Sequence, residues 1–162
     1  MNSIAILGIG NNLLQDDGAG IHILNRFAAD NPFSNVDCLD AGTIGLAMMD
    51  RLTDLQGLVA LDAMRLGLEP GTVTVLQGPD MDHHLLNHHH SAHEVGLSDL
   101  MDALRLSDQL PPNRALIGIE PEKMDWGTEP TEKIAAAIPR AAELARDLVR
   151  RWQSDLSAET QL

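Results

Sequence analysis

Three stretches carry side chains that could do chemistry. The first is Asp16-Asp17-Gly18, two adjacent carboxylates ahead of a helical pattern. One aspartate is enough to cap that helix, and a second acid there is favoured by the helix dipole. After a glycine turn, whichever of Asp16 and Asp17 is not capping is free to point into a cleft. The second is Asp62, which ends the apolar run GLVALD. Read alone, it caps the turn that follows, Ala63-Met64. The third holds six of the seven histidines, between His83 and His93. Most of these suit a solvated loop with incidental metal affinity. His93 differs because it sits where loop turns into helix. His89 and His93 have i, i+4 spacing, but no H-E-x-x-H motif occurs. Two carboxylates and an imidazole from three separate elements make a hard-to-borderline metal site with open positions. Zn²⁺, Ni²⁺ or Mn²⁺ would suit it, and an open position holds a water or a ligand from a substrate.

The elements that must position these residues follow from the apolar pattern. Ser3–Gly8 and Gly57–Asp62 are continuous apolar runs, as buried parallel strands are. Val36–Asp40, Gly71–Leu76 and Arg114–Ile119 read as three further strands. Gly20, Ile23, Leu24 and Phe27 give one helical face, and Leu97, Leu100, Met101 and Leu104 another within a helix over His93–Leu106. Ile44–Arg51 reads as a short helix. Thr131–Trp152 reads as a long one, kinked at Pro139. Gly78 to Ala92 reads as a long loop, and residues 154–162 as a polar, disordered tail. Strand–helix alternation predicts a single α/β domain over residues 1–153. Its architecture is a three-layer αβα sandwich, with a largely parallel twisted sheet of about five strands. Ligands of such sheets sit outside the carboxyl ends of the strands, where Asp17, Asp62 and His93 fall.

Composition narrows the classes. The chain has 162 residues, 44% of them apolar, which suits one domain with a core of its own. Its formal charge is −13 and only 2% of its residues are aromatic, so nucleic acid and anionic membrane are poor partners. The lone cysteine, Cys38, excludes an intramolecular disulfide and lies in an apolar run as an inert core thiol. No basic leader precedes the first apolar run and no stretch could span a bilayer, which points to a cytoplasmic protein. Gly8-Ile9-Gly10 follows the first strand, but Leu13 stands where a dinucleotide fingerprint needs its third glycine. Neither a P-loop nor a G-x-S-x-G elbow is present.

Five segments, in order and at the right separations, resemble the nickel–iron hydrogenase maturation endopeptidases. They are Leu7–Gly20 (LGIGNNLLQDDGAG), Leu39–Gly45 (LDAGTIG), Leu61-Asp62-Ala63, Ser91–Leu100 (SAHEVGLSDL) and Ile117–Glu122 (IGIEPE). The likeness runs from about Ile4 to Trp152. It implies an endopeptidase that removes the C-terminal extension of a hydrogenase large-subunit precursor once nickel has been inserted. It implies that Asp17, Asp62 and His93 are both the metal ligands and the catalytic set. Asp40, Gly42 and Thr43 match a segment lining the same cleft. The nickel would be carried by the substrate and would serve as the recognition element, with no organic cofactor. Asp40 or Glu94 could act as general base. The His88-His89-His90 run is richer in histidine than that pattern requires. A monomer is expected, since the precursor must dock on the cleft side. Two readings compete: a conventional zinc metallopeptidase, and a nickel carrier that does not cleave.

Overall fold

The computed structural model describes residues 4–42, 46–88 and 91–161. In chain order they form β1 (Ile4–Ile9), α1 (Ala19–Ala29), β2 (Val36–Gly42), β3 (Gly57–Ala63), β4 (Val73–Gln77), α2 (Pro79–Asn87), α3 (Ala92–Leu106), β5 (Asn113–Ile119) and α4 (Glu132–Thr160). Short 3₁₀ turns cover Gln15–Gly18 and Leu46–Arg51. The five strands form one sheet in the order β2-β1-β3-β5-β4. All neighbours are parallel except β4, which runs antiparallel to β5 at the edge.

Strand side chains alternate between two faces, and each face has its own core. Ile4 and Ile6 of β1, with Val59 and Leu61 of β3, pack against Ile23 and Phe27 of α1 and Ile134, Leu148 and Trp152 of α4. Ala5, Leu7 and Ile9 face the other way, with Leu58 and Ala60, against Met81 of α2 and Leu97, Leu100 and Leu104 of α3. The result is the αβα sandwich that the apolar runs predict. The central strands β1 and β3 are buried at every position, which is why they read as continuous rather than alternating.

β1 has β2 on one side and β3 on the other. The chain first winds outward to β2, then returns across β1 to β3. The crevice between the carboxyl ends of β1 and β3 is therefore the topological switch point of the sheet. α1 is drawn tightly over this crevice by Gly20, where a Cβ would collide with the carbonyl oxygens of Ile9 and Leu61.

Three expectations need correction. The segment after Gly78 is not a long loop: Pro79–Asn87 is helical, with Pro79 in the first turn and Met81, His84 and Leu85 buried. Pro in the first helical turn is well placed, because that turn has no use for its missing N–H. The polar residues 154–160 are not a frayed tail but continue α4, which runs on to Thr160. The short helix expected over Ile44–Arg51 is a 3₁₀ segment where it is described, from Leu46. Among the described residues no helix is long and apolar enough to cross a membrane.

Candidate active site

Asp17 lies in the 3₁₀ turn that follows β1, and it does not cap α1. That helix is preceded by Gly18 and has no side-chain cap, so its first turn leaves both carboxylates for other work. Gly10, at φ +133°, bends the chain after β1 and donates its N–H to Gly42 O at 3.0 Å. Asp17 Oδ2 accepts the Asn11 N–H at 3.2 Å and lies 2.9 Å from His93 Nε2. His93 is in the first turn of α3, whose N-cap Ser91 accepts the Glu94 N–H on its Oγ at 3.2 Å. Asp62 is next to last in β3 and is 3% exposed; its Oδ1 accepts the Ala63 N–H at 2.8 Å. So the turn-capping reading of Asp62 holds for one oxygen only.

The three groups feel one another electrically. Burial pushes the Asp17 carboxyl up, but the hydrogen bond and charge of His93, the Asn11 amide and Arg65 outweigh it, and it titrates below its ordinary value. His93 is raised: the Asp17 hydrogen bond does most, burial opposes, and the charges of Asp62, Asp17 and Glu94 add to it. Asp62 is raised well above the carboxylate range by its burial. His93 and the Ala63 amide oppose that, while Asp17 and Glu94 reinforce it. The structure therefore pairs Asp17 with His93 through a hydrogen bond, next to an Asp62 carboxyl whose burial favours its neutral form.

Beside Asp17 opens a cleft of about 440 Å³, lined by Asp17, Ala63, Arg65, Ser91, Glu94 and Met124; Asp62 and His93 are buried next to these and are not among its lining residues. Among the described residues its cationic lining residue is Arg65, whose Nη2 donates to Met124 Sδ at 3.1 Å. Two buried carboxylates outside the cleft fasten its walls. Glu120 accepts the N–H groups of Leu66 and Gly67 at 2.7 and 3.1 Å, fixing the loop that carries Arg65. Asp16 accepts four hydrogen bonds, from the N–H groups of Glu122, Lys123 and Thr131 and from Thr131 Oγ1. Burial raises the Asp16 carboxyl, but these donors win and hold it below its ordinary value.

The expectations for the site divide accordingly. Asp17, Asp62 and His93 are brought together, from sequence separations of up to 76 residues. Asp16, expected as a cleft-lining acid, is instead fully buried and committed to the 122–131 loop. Asp40 is exposed at the end of β2, one strand away, and its Oδ1 accepts the Gly42 N–H at 3.0 Å. Neither Asp40 nor Gly42 is among the residues lining the cleft, and Thr43 lies outside the described residues, as do His89 and His90. Glu94, offered only as a possible base, does line it. The histidines of α2 are not simply solvated: His84 is buried, and its ring stacks on His88 with centroids 4.6 Å apart. Cys38 is half-buried, and its thiol is pushed up by burial and the neighbouring Asp37. Arg65 and Met124 were not anticipated. Arg65, three residues past Asp62, was within reach of the strand-end rule; nothing in the sequence marks Met124.

Among the described residues no group of three His, Cys, Asp or Glu side chains stands splayed around a cation-sized space. Asp17 Oδ2 and His93 Nε2 instead face each other at 2.9 Å. His93 Nδ1 is buried and has no hydrogen-bond partner among the described residues, an arrangement that normally carries a cost.

In sequence and in fold the chain is similar to known proteins. Residues 21–148 match the family model for the hydrogenase maturation protease HycI. The hydrogenase expression/formation protein HupD of Rhizobium leguminosarum bv. viciae is 33% identical over 92% of this chain and 75% of its own length. The hydrogenase 2 maturation protease of Escherichia coli K12 is 30% identical, over 86% of each chain. Among solved structures, the hydrogenase maturating endopeptidase HybD of E. coli superimposes with a TM-score of 0.86 at 28% identity, covering 91% of this chain and 92% of that one. The [NiFe] hydrogenase maturation protease HybD of Thermococcus kodakarensis gives 0.77 at 29% identity, covering 90% and 97%.

Proposed function

The chain belongs to the hydrogenase maturation protease family, hydrolases of the endopeptidase class, and from that premise we propose what it cuts and how it selects it. The substrate is a nickel–iron hydrogenase large-subunit precursor. The bond cut is the one that joins its C-terminal extension, and it is cut only after nickel has been inserted. The observation that carries this reading is the convergence of Asp17, Asp62 and His93 at the switch point, beside an open cleft.

Nickel enters as part of the substrate. Asp17, Asp62 and His93 are oxygen and nitrogen donors of the borderline kind that Ni²⁺ accepts. To use Asp17 Oδ2 and His93 Nε2, the ion must displace the hydrogen bond between them. An ion so held polarises a neighbouring carbonyl and makes a bound water nucleophilic. The water oxygen forms the new carboxyl group of the mature subunit as the C–N bond breaks, and the amine leaves with the released tail. Glu94, which lines the cleft, would take the water's proton and pass it to the leaving nitrogen. A precursor without nickel offers these three groups nothing to bind in common, so discrimination rests on metal–ligand bonds. The protein acts as a monomer with the cleft side free.

The test is the intact mass of a precursor from the same source, incubated with this protein once nickel-loaded and once nickel-free. Loss of a C-terminal peptide only with nickel is the expected result. Cleavage of both forms removes nickel recognition while keeping the protease. Stoichiometric zinc in the purified protein would instead favour a resident-metal peptidase.

A further inference from the structure

Trp126 is 81% exposed and Leu13 is 52% exposed, and they are not scattered at random. Leu14 and Gly127 form an isolated parallel bridge, which makes Leu13 and Trp126 neighbours in register. Gly127 N–H donates to Leu13 O at 2.9 Å, and Gln15 N–H donates to Gly127 O at 2.9 Å. Asp16 anchors both segments, since its own backbone lies in one and its carboxylate holds Glu122, Lys123 and Thr131 in the other. Two residues before Trp126, Met124 lines the cleft; four residues after Leu13, Asp17 lines it too.

A single exposed apolar side chain needs no explanation. A tryptophan and a leucine held side by side on hydrogen-bonded backbone, at the rim of a cleft, are a different matter. Their placement is settled before any partner arrives, so docking on them orders little that was loose. Tryptophan is also the side chain most often found to dominate an interface. Because the cleft must receive the scissile segment, whatever surface of the precursor adjoins that segment meets this rim.

We propose that Leu13 and Trp126 form the docking face for the folded precursor, seating an apolar patch of the large subunit next to its scissile segment. This rests on the function proposed above and adds to it a second recognition element, independent of nickel. The metal ligands would report whether the precursor is loaded; the apolar rim would report whether it is a large subunit at all.

The test is the steady-state kinetics of precursor processing, using the full chain and a nickel-loaded precursor. Trp126→Ser and Leu13→Ser are expected to raise KM, Trp126→Ser by about tenfold, with the rate recovered at saturating precursor. Trp126→Phe is expected to retain most of the affinity. Leu86→Ser, which removes a 66% exposed apolar side chain on α2, serves as the control and leaves KM unchanged. If the unaltered protein cleaves while Trp126→Ser and Leu13→Ser keep its KM, the docking face is overturned and the protease reading stands. If the unaltered protein does not cleave the precursor, the functional reading falls and the docking face falls with it.

Discussion

Asp62 sets stability against chemistry within one side chain. Its folded-state pKa is raised by burial, so the fold favours the protonated acid. The sign follows: this group's contribution is fully present below its unfolded pKa and is eroded as pH rises from there toward the folded value. Asp62→Asn removes that erosion while keeping one oxygen for the Ala63 amide. We expect it to fold with a melting temperature at neutral pH a few degrees above the unaltered protein, about 1 kcal/mol in stability, and to process no precursor. A scanning calorimetry trace and a cleavage assay check the two halves. His93→Ala and Asp17→Ala are also expected to lose processing while remaining folded. Normal processing in either variant would remove that residue from the site. The residues that matter here were legible because each ends or begins an element. Asp62 closes an unbroken apolar strand and His93 opens a helix. Asp16 was misjudged because its partners, Glu122, Lys123 and Thr131, lie over a hundred residues away, and no local spacing encodes them.

At the scale of elements, carboxylates act as fasteners. Asp82 of α2 holds Arg114 of β5 with two hydrogen bonds of 2.9 and 2.6 Å, and Arg105 of α3 approaches it at 3.6 Å. The Arg114 hydrogen bond lowers the Asp82 pKa, against burial and with help from both arginine charges. Its contribution is therefore present above the unfolded carboxylate range and is lost as pH falls through the lowered folded value. We expect Asp82→Asn to cost about 1 to 2 kcal/mol near neutrality, and the difference from the unaltered protein to vanish in acid denaturation series. Asp16→Asn is expected to speed amide exchange at Glu122, Lys123 and Thr131 selectively, with the strands still protected. Gly20→Ala forces α1 off Ile9 and Leu61, at a cost of about 3 kcal/mol; because Leu61 adjoins Asp62, processing should fall further than stability alone explains. The helix α2 is hard to read from sequence because only Met81 and Leu85 of its apolar residues face inward, one turn apart among polar ones. The strands were legible because burial on both faces leaves an unbroken apolar run.

At the scale of the whole molecule, the last turns of α4 lie outside the two cores. Residues 154–160 lengthen α4 with mostly exposed side chains. Deleting them is expected to change stability by less than about 1 kcal/mol, measured by denaturant titration, and to leave processing intact. The architecture could be inferred from alternation alone, and so could the edge of the sheet where the site would form. The cleft walls could not, because Arg65 and Met124 meet through loops whose course is set by Glu120 and Asp16. Those loops tie the beginning of the chain to its final third: the Asp16 carboxylate finds its partners only at positions 122, 123 and 131. During synthesis, then, the Asp16–Asp17 turn leaves the ribosome well before the segment that holds it. The cleft walls need residues 122–131 in place, so a fragment that stops short of them is not expected to cleave the precursor.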